Sequence, residues 1–352
     1  MNKFKQFSKY YISILGLIVF IIIVVNYIVD PYQQYRKASF YTFLVKGERY
    51  INPGLIKHYE YDSLLVGTSM VANFKSSDIE KKLGFNKVLK VPTFGGNLCE
   101  QMDTIEFAQK YKKINNILFG LDLYSFSGFN IPTEIKEDFP NFLYDDSILN
   151  DSRYLLNTRV FSRSLKSITK RYDANKVSQQ LDNLYEWQSE YNNMFDGGNN
   201  AKANYLSQIN RYKSFKYYYR FEVLKSNFNK YLLPLIKKNK DIKFYFFYPP
   251  YSILYYKLMQ KSGYLNEYIK FKSYVFSVTK SYKNVKLYDF QSEEKVTCNL
   301  GNYKDVTHYH QKINLWMLDK MANDDYLVSK DNIDKITNEF YKQVQTYSIL
   351  AN

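Results

Sequence analysis

The sequence is short of the residues that most often mark metal sites and disulfide frameworks. Its 352 residues include two cysteines, Cys99 and Cys298, and three histidines, His58, His308 and His310. The cysteines lie far apart in the chain and can either form one disulfide or remain as two buried thiols, and the sequence does not decide between these. So few histidines disfavour a histidine-rich metal site. We expect no metal and no other cofactor.

The chain also lacks any second long apolar run. From Tyr10 to Val29 there is no charged side chain, and about 20 apolar residues suffice for a helix to span a bilayer. Lys3, Lys5 and Lys9 precede the run, which predicts a cytoplasmic N-terminus and an extracytoplasmic body on the cell membrane. A cleaved signal peptide is the competing interpretation, but residues 26–31 offer no small residues for a cleavage site. We therefore expect an uncleaved single-pass signal-anchor.

Acidic residues are too few to balance the basic ones. There are 49 Lys and Arg against 34 Asp and Glu, giving a formal net charge of +15. This balance predicts attraction to polyanions such as anionic lipid or an anionic cell-wall polymer. A solvated lysine-rich surface explains it equally well. Because no zinc-knuckle spacing and no known nucleic-acid-binding motif is present, we expect no nucleic-acid partner.

After the apolar run, strand and helix patterns alternate. Strand patterns occur at about 63–67, 86–92, 116–123, 242–248 and 285–290, which predicts a parallel sheet with right-handed crossovers. The expected fold class is α/β, a three-layer α/β/α arrangement with about five parallel strands. A polar stretch at about 130–220 predicts a mostly helical insertion that is a lid, a partner surface or an ornament. The expected organisation is a tail at 1–9, a transmembrane segment at 10–29, a connecting segment at 30–60 and a catalytic domain at 61–345.

The first of these strands runs directly into a serine. Leu64-Leu65-Val66-Gly67-Thr68-Ser69-Met70 is typical of a buried strand, a tight turn and the start of a helix. The carboxyl edge of an open α/β sheet is where ligands bind, and free N–H groups at a helix start can receive an oxyanion. Ser69 is therefore a candidate nucleophile. Alternatively, Thr68 or Ser69 only caps the helix.

A carboxylate and an imidazole follow the last strand. Asp305 and His308 lie three residues apart in a loop, which lets the carboxylate reach one ring nitrogen while the other faces outward. A serine hydroxyl needs such a base to remove its proton, and the carboxylate fixes the tautomer of the base. The alternative makes Asp305 a helix-start residue and His308 an ordinary loop residue. His310 is a second candidate base, but its spacing from Asp305 is less suitable.

The turn after the second strand supplies candidate oxyanion donors. Gly95 and Gly96 allow backbone N–H groups to approach a reacting carbonyl closely, and one of them together with the Ser69 N–H would form an oxyanion hole. Asn97 can add a side-chain donor. The same Gly-Gly-Asn sequence is also an ordinary turn.

Taken in chain order, these blocks resemble the SGNH (GDSL-like) hydrolase superfamily. Gly67-Thr68-Ser69 corresponds to its Gly-Asp-Ser block, Gly95 or Gly96 to its glycine block, and Asp305-Val306-Thr307-His308 to its terminal Asp-x-x-His block. The closer likeness is to membrane-anchored SGNH-like proteins of cell-surface polymer acylation, such as lipoteichoic acid D-alanine transfer proteins and alginate O-acetylation proteins. These also carry one N-terminal membrane segment, often followed by Asp-Pro-Tyr, here Asp30-Pro31-Tyr32.

The chain departs from the family pattern at two blocks. Thr68 stands where the family has aspartate before the serine, and Gly120-Leu121-Asp122 replaces the asparagine block. A carboxylate cannot donate unless it is protonated, so we expect Asp122 to orient loops or bind substrate. Further candidates for substrate binding end the predicted strands at the same sheet edge, namely Asp122, Tyr248, Tyr251 and Ser252.

The resemblance implies a serine acyltransferase or esterase that works through an acyl-serine intermediate on a cell-surface glycan or teichoic-type polymer. The expected partners are the membrane, an acyl donor and the polymer. Within enzymes the alternative is a glycan O-deacetylase that uses water. From another class, the alternative is a non-catalytic scaffold partner of a polytopic membrane acyltransferase, docking through the insertion.

Overall fold

The computed structural model describes residues 2–128, 139–213 and 216–349. Within the predicted insertion, residues 130–138 and 214–215 therefore lie outside the described residues. The described residues form two compact units, one drawn from Met1–Tyr59 and Asp138–Leu181 and the other from Glu60–Glu137 and Asp182–Asn352.

The second unit contains a five-stranded parallel sheet, so the predicted α/β class is confirmed. The strand order is β2-β1-β3-β4-β5, and Gly120 of β3 pairs with Phe247 of β4. The carboxyl ends of β1, β3 and β4 are therefore neighbours at one edge of the sheet. The strands are β1 (Ser63–Val66), β2 (Val88–Lys90), β3 (Asn116–Gly120), β4 (Lys243–Tyr248) and β5 (Val285–Asp289).

Helices account for most of the remaining structure. Strand β1 is buried at all four positions, as expected for a strand covered by helices on both faces. The α-helices in chain order are α1 (Asn2–Val29), α2 (Glu48–His58), α3 (Ser76–Leu83), α4 (Leu98–Tyr111), α5 (Leu123–Phe126), α6 (Ser152–Leu155), α7 (Thr158–Ile168), α8 (Ala174–Asp182), α9 (Gln188–Tyr191), α10 (Asn199–Lys213), α11 (Phe221–Asn227), α12 (Leu233–Lys238), α13 (Ile253–Ser262), α14 (Leu265–Thr279), α15 (Glu294–Thr297), α16 (Gln311–Ala322) and α17 (Ile333–Thr346).

The crossovers distribute these helices over the two faces of the sheet. The β1–α3–β2 connection runs in one direction across the sheet and the β2–α4–β3 connection in the other. Right-handed crossovers therefore place α3 and α4 on opposite faces. Helix α16 packs against α3, and α11 packs against α14 on the α4 side. The three-layer arrangement follows from this alternation.

The first unit is organised around the end of α1. Within the described residues, Lys3–Val29 is the one candidate span that is long and apolar enough to cross a membrane. Directly after it, the Asp30 carboxylate accepts the N–H groups of Gln34, Tyr35 and Arg36 at 2.8, 2.7 and 3.0 Å and the Tyr154 hydroxyl at 2.9 Å. Burial raises the pKa of Asp30, and these hydrogen bonds offset the rise only in part. Asp30 thus closes the turn that follows the helix.

Some local predictions differ from the structure. Ser69–Val71 is a short 3₁₀ turn and α3 begins only at Ser76, so Ser69 does not start the α-helix that the sequence predicted. A π-helical segment, Phe228–Leu232, lies between α11 and α12. The described part of the insertion is helical, but its residues up to Leu181 belong to the first unit and those from Asp182 to the second.

Candidate active site

Ser69 lies in the turn that ends β1. Gly67 has φ +155°, and a Cβ there would lie 2.7 Å from Cγ1 of Val71, so the turn requires glycine. The Thr68 hydroxyl accepts the Met70 N–H at 3.3 Å and caps the 3₁₀ turn. The capping role therefore falls to Thr68, and the Ser69 hydroxyl remains available for another partner.

That partner is His308. The Ser69 Oγ lies 2.8 Å from His308 Nε2, and His308 Nδ1 lies 2.8 Å from Asp305 Oδ2. A proton on Nδ1 is donated to the carboxylate, which leaves Nε2 to accept the Ser69 O–H. The structure thus brings together three residues from two distant parts of the chain in the order that serine catalysis requires.

The loop itself holds the Asp305 carboxylate in place. Its Oδ1 accepts the N–H groups of Thr307 and His308 at 2.9 and 2.8 Å and the Thr307 hydroxyl at 3.1 Å. Burial raises the pKa of Asp305, but the charge on His308 and these hydrogen bonds outweigh it and hold the pKa below its usual range. Asp305 therefore remains ionised and can stabilise an imidazolium.

Neighbouring segments brace the same loop. The Ser252 hydroxyl donates to the Val306 carbonyl at 2.7 Å, and the Tyr303 hydroxyl donates to the Pro250 carbonyl at 2.9 Å. The Val306 N–H donates to Oδ1 of Asn204, at 3.3 Å. Ser252 was expected as a substrate contact, but it is fully buried and instead holds the loop through its hydrogen bond to Val306.

A tryptophan from the insertion contacts two of the three hydrogen-bonded residues, Ser69 and His308. The Trp187 indole N–H donates to the Ser69 carbonyl at 2.9 Å, and its ring packs edge-on against the His308 imidazole with centroids 5.3 Å apart. The Lys304 ammonium lies 4.7 Å from the Trp187 ring and 3.6 Å from Asp305 Oδ2. No sequence signal marks Trp187, because the insertion carries no motif and its path is set by tertiary contacts.

The candidate oxyanion donors differ in whether they already take part in a hydrogen bond. Among the described residues, the Ser69 and Gly95 N–H groups have no hydrogen-bond partner, and both residues line one pocket. The Gly96 N–H instead donates to the Thr93 carbonyl at 2.9 Å. Asn97 caps α4 by accepting the Glu100 N–H through its side chain. The geometry therefore favours Gly95 over Gly96 and Asn97 as the second donor.

Asp122 connects the turns of three strands. Its Oδ2 accepts the Thr68 hydroxyl at 2.6 Å, and its Oδ1 accepts the Tyr251 hydroxyl at 2.7 Å and the Tyr124 N–H at 3.0 Å. The Tyr251 hydroxyl in turn accepts the Leu123 N–H at 3.1 Å. With three donors directed at it, the Asp122 carboxyl serves as an acceptor that ties the nucleophile turn to the ends of β3 and β4.

A pocket of about 240 Å³ opens at this edge of the sheet. Two larger pockets, of 450 and 420 Å³, lie elsewhere in the same unit and are not lined by Ser69, Asp305 or His308. We assign the smaller one to function because Ser69 and His308 both line it. It is lined by Thr68, Ser69, Met70, Gly95, Asp122, Tyr124, Tyr219, Tyr251, Tyr255, Thr307 and His308.

The remaining sequence candidates lie away from this pocket. Tyr248 is fully buried in β4, where burial, followed by the Asp289 charge, raises its pKa. The His310 Nδ1 accepts the Lys312 N–H at the start of α16, so His308 takes the position beside Ser69. Cys99 and Cys298 are free thiols.

Comparison with known proteins adds no family assignment. No protein-family model matches the chain, and no curated protein matches it either. The function of the chain is therefore inferred from the geometry of the site.

Proposed function

We propose that this chain is a membrane-anchored extracytoplasmic enzyme of the SGNH-like serine acyltransferase or esterase type, acting on a cell-surface glycan or teichoic-type polymer. The observation that carries this proposal is the continuous hydrogen-bonded chain from Ser69 through His308 to Asp305 beside an open pocket. Hydrogen bonds of 2.8 Å at both links are within the range needed for proton transfer.

In the proposed first step, His308 Nε2 takes the proton from the Ser69 hydroxyl as its oxygen attacks the carbonyl carbon of an acyl donor. Asp305 stabilises the imidazolium that forms. The carbonyl oxygen becomes an oxyanion, which the free N–H groups of Ser69 and Gly95 are positioned to bind. His308 then gives its proton to the leaving oxygen or sulfur, and an acyl-Ser69 ester remains.

In the proposed second step, His308 removes a proton from an acceptor hydroxyl, which attacks the acyl-Ser69 carbonyl. Collapse of this intermediate releases the acylated acceptor and returns the proton to Ser69. With a sugar or polyol hydroxyl as acceptor the enzyme is a transferase, and with water it is an esterase. An anchor beside the cell surface and a net charge of +15 favour an anionic surface polymer as the acceptor.

The proposed topology follows from α1 and the residues before it. The span is long and apolar enough by composition, and Lys3, Lys5 and Lys9 on its N-terminal side favour a cytoplasmic N-terminus. The unit that carries Ser69 then faces the cell envelope, where surface polymers are modified.

Trapping of the acyl-enzyme tests this proposal. The full chain in detergent is mixed with p-nitrophenyl acetate, quenched, and analysed by intact mass and peptide mapping. We expect one acetyl group on Ser69, absent from Ser69→Ala and His308→Ala and retained in the control His58→Gln, whose ring lies 3.3 Å from the Gln34 carbonyl in the first unit.

The same reaction separates the alternatives. Adding a polyol acceptor should divert acetyl from water to the polyol if the chain is a transferase, whereas a deacetylase would release acetate at an unchanged rate. A folded protein that forms no acyl-enzyme would support the scaffold alternative and contradict the proposal.

A further inference from the structure

Helix α7 of the first unit carries three ridges of different chemistry. Side chains three and four positions apart lie on one face of a helix. Val160, Ser164 and Ser167 form a ridge that is buried, at 1%, 0% and 0% exposure. Flanking it on one side is an apolar ridge, Phe161, Leu165 and Ile168, and on the other a basic ridge, Arg159, Arg163 and Lys166.

The buried ridge faces the C-terminal end of α1, against which α7 packs. The Ser164 hydroxyl donates to Asn26 Oδ1 at 3.0 Å. Asn26 in turn donates through Nδ2 to the carbonyls of Leu155 and Asn157, at 2.8 and 3.2 Å. This polar contact fixes the position of α7 beside the end of the apolar span.

The basic ridge contacts the segment that follows the span in the chain. The Arg163 guanidinium lies 4.6 Å from the Tyr32 ring and donates to the Leu44 carbonyl. Tyr32 and Leu44 both follow the end of α1 at Val29. Since the two flanking ridges lie on opposite sides of the buried one, the apolar ridge lies on the flank of α7 away from this contact.

The apolar ridge is exposed beside a span that is itself exposed. Leu165 and Ile168 are 45% and 51% exposed, and on α1 the side chains of Ile18 and Ile21 are 49% and 45% exposed. A bilayer around α1 would meet the apolar ridge of α7 as a continuation of the same surface. The basic ridge would then lie at the level of the lipid phosphates.

We propose that α7 is an interfacial helix that inserts Phe161, Leu165 and Ile168 into the outer leaflet beside α1, with Arg159 and Lys166 directed to lipid phosphates. The occupant of this face is the lipid bilayer. The inference rests on the proposal that α1 crosses the membrane. It adds a second membrane contact, which fixes the orientation of the first unit on the membrane surface.

Tryptophan scanning in brominated lipid tests the insertion. The full chain is reconstituted in phosphatidylcholine–phosphatidylglycerol vesicles with or without bromine on the acyl chains. Leu165→Trp reports on the apolar ridge, and Lys166→Trp, on the opposite flank, is the matched control. Leu17→Trp reports separately on α1. The wild-type signal of Trp187 and Trp316 is subtracted, and circular dichroism confirms the fold of each variant.

We expect bromine to reduce the added fluorescence of Leu165→Trp and Leu17→Trp strongly and that of Lys166→Trp little. Quenching at Leu17→Trp without quenching at Leu165→Trp would overturn the inference while leaving the span intact, and would assign the apolar ridge to water or to a protein partner. Loss of quenching at both positions would refute the span and the inference together.

Discussion

The indole N–H of Trp187 donates to the backbone carbonyl of Ser69 at 2.9 Å, while the same ring packs against His308 with centroids 5.3 Å apart. One side chain thus contacts both the residue that carries the nucleophile and the ring that serves as its base. Trp187 comes from the insertion, so this contact makes the geometry of the site depend on a segment outside the strand–helix repeat.

Trp187→Phe should lower acyl-enzyme formation without unfolding the protein. The change keeps an aromatic ring beside His308 but removes the donor to the Ser69 carbonyl, and a lost hydrogen bond of this kind costs about 1–3 kcal/mol, or roughly tenfold or more in rate. The rate of the acetyl burst measures the effect. Trp316→Phe is the matched control, since Trp316 packs against Phe290 and Tyr326 and should leave the burst unchanged.

Asp305→Asn should lower turnover by roughly 10³–10⁴-fold while preserving the fold. An asparagine amide at this position can donate to His308 Nδ1, which places the ring proton on Nε2, where it blocks proton removal from Ser69. The burst rate tests this, with Asp325→Asn as control because Asp325 pairs with Lys320 at the surface. A loss of less than tenfold would show that Asp305 does not set the tautomer.

The effects of substituting Asp122 and Tyr251 on the free energy of unfolding should be coupled. Asp122→Asn removes one of the two oxygens that accept Thr68 and Tyr251, and Tyr251→Phe removes one of the donors. Each change should lower the free energy of unfolding by about 1–3 kcal/mol. Because the two side chains share a contact, the double variant should lose less than the sum of the single losses. Urea unfolding of the four proteins measures the coupling, and strict additivity would contradict it.

Lys90 should make stability depend on pH in the neutral to alkaline range. Its ammonium is buried beneath the loop after Ser69 and donates to the carbonyls of Ala72 and Phe74. Burial lowers the pKa of Lys90 to about 7. Between this pKa and the usual lysine pKa of 10.5, the unfolded chain binds more protons than the folded one. The contribution of Lys90 to the free energy of unfolding therefore rises with pH in that window and is constant below it.

Unfolding of the wild type and of Lys90→Met at pH about 7 and about 9 isolates this contribution, which cannot exceed about 1.4 kcal/mol per pH unit for one group. The difference between the two proteins should change with pH. Lys87→Met, at an exposed position just before β2, should follow the wild type. A pH-independent difference for Lys90→Met would show that the Lys90 pKa is not lowered.

The sequence predicted the parts of the fold and of the site that depend on where the strands end. Buried runs located all five strands, and in a parallel sheet their carboxyl ends share one edge. The sequence alone therefore placed Ser69 and the Asp305–His308 loop near each other. These features follow from periodicity and spacing.

The details that the sequence did not supply depend on tertiary contacts. Whether the Gly95 or the Gly96 amide is free depends on the Thr93 carbonyl, and the braces from Ser252 and Asn204 depend on loop packing. The insertion gave no sign that it divides between two units or that Trp187 would reach Ser69. Periodicity describes which face of an element is buried, but not which partner covers it.

The most direct test of the central claim is reaction of the full chain with a fluorophosphonate probe, followed by mass mapping of the modified residue. Fluorophosphonates label serines that an adjacent base activates. We expect labelling at Ser69, and we expect both Ser69→Ala and His308→Ala to abolish it. A folded protein that stays unlabelled, or one whose labelling survives both substitutions, would contradict the assignment of Ser69 as the nucleophile.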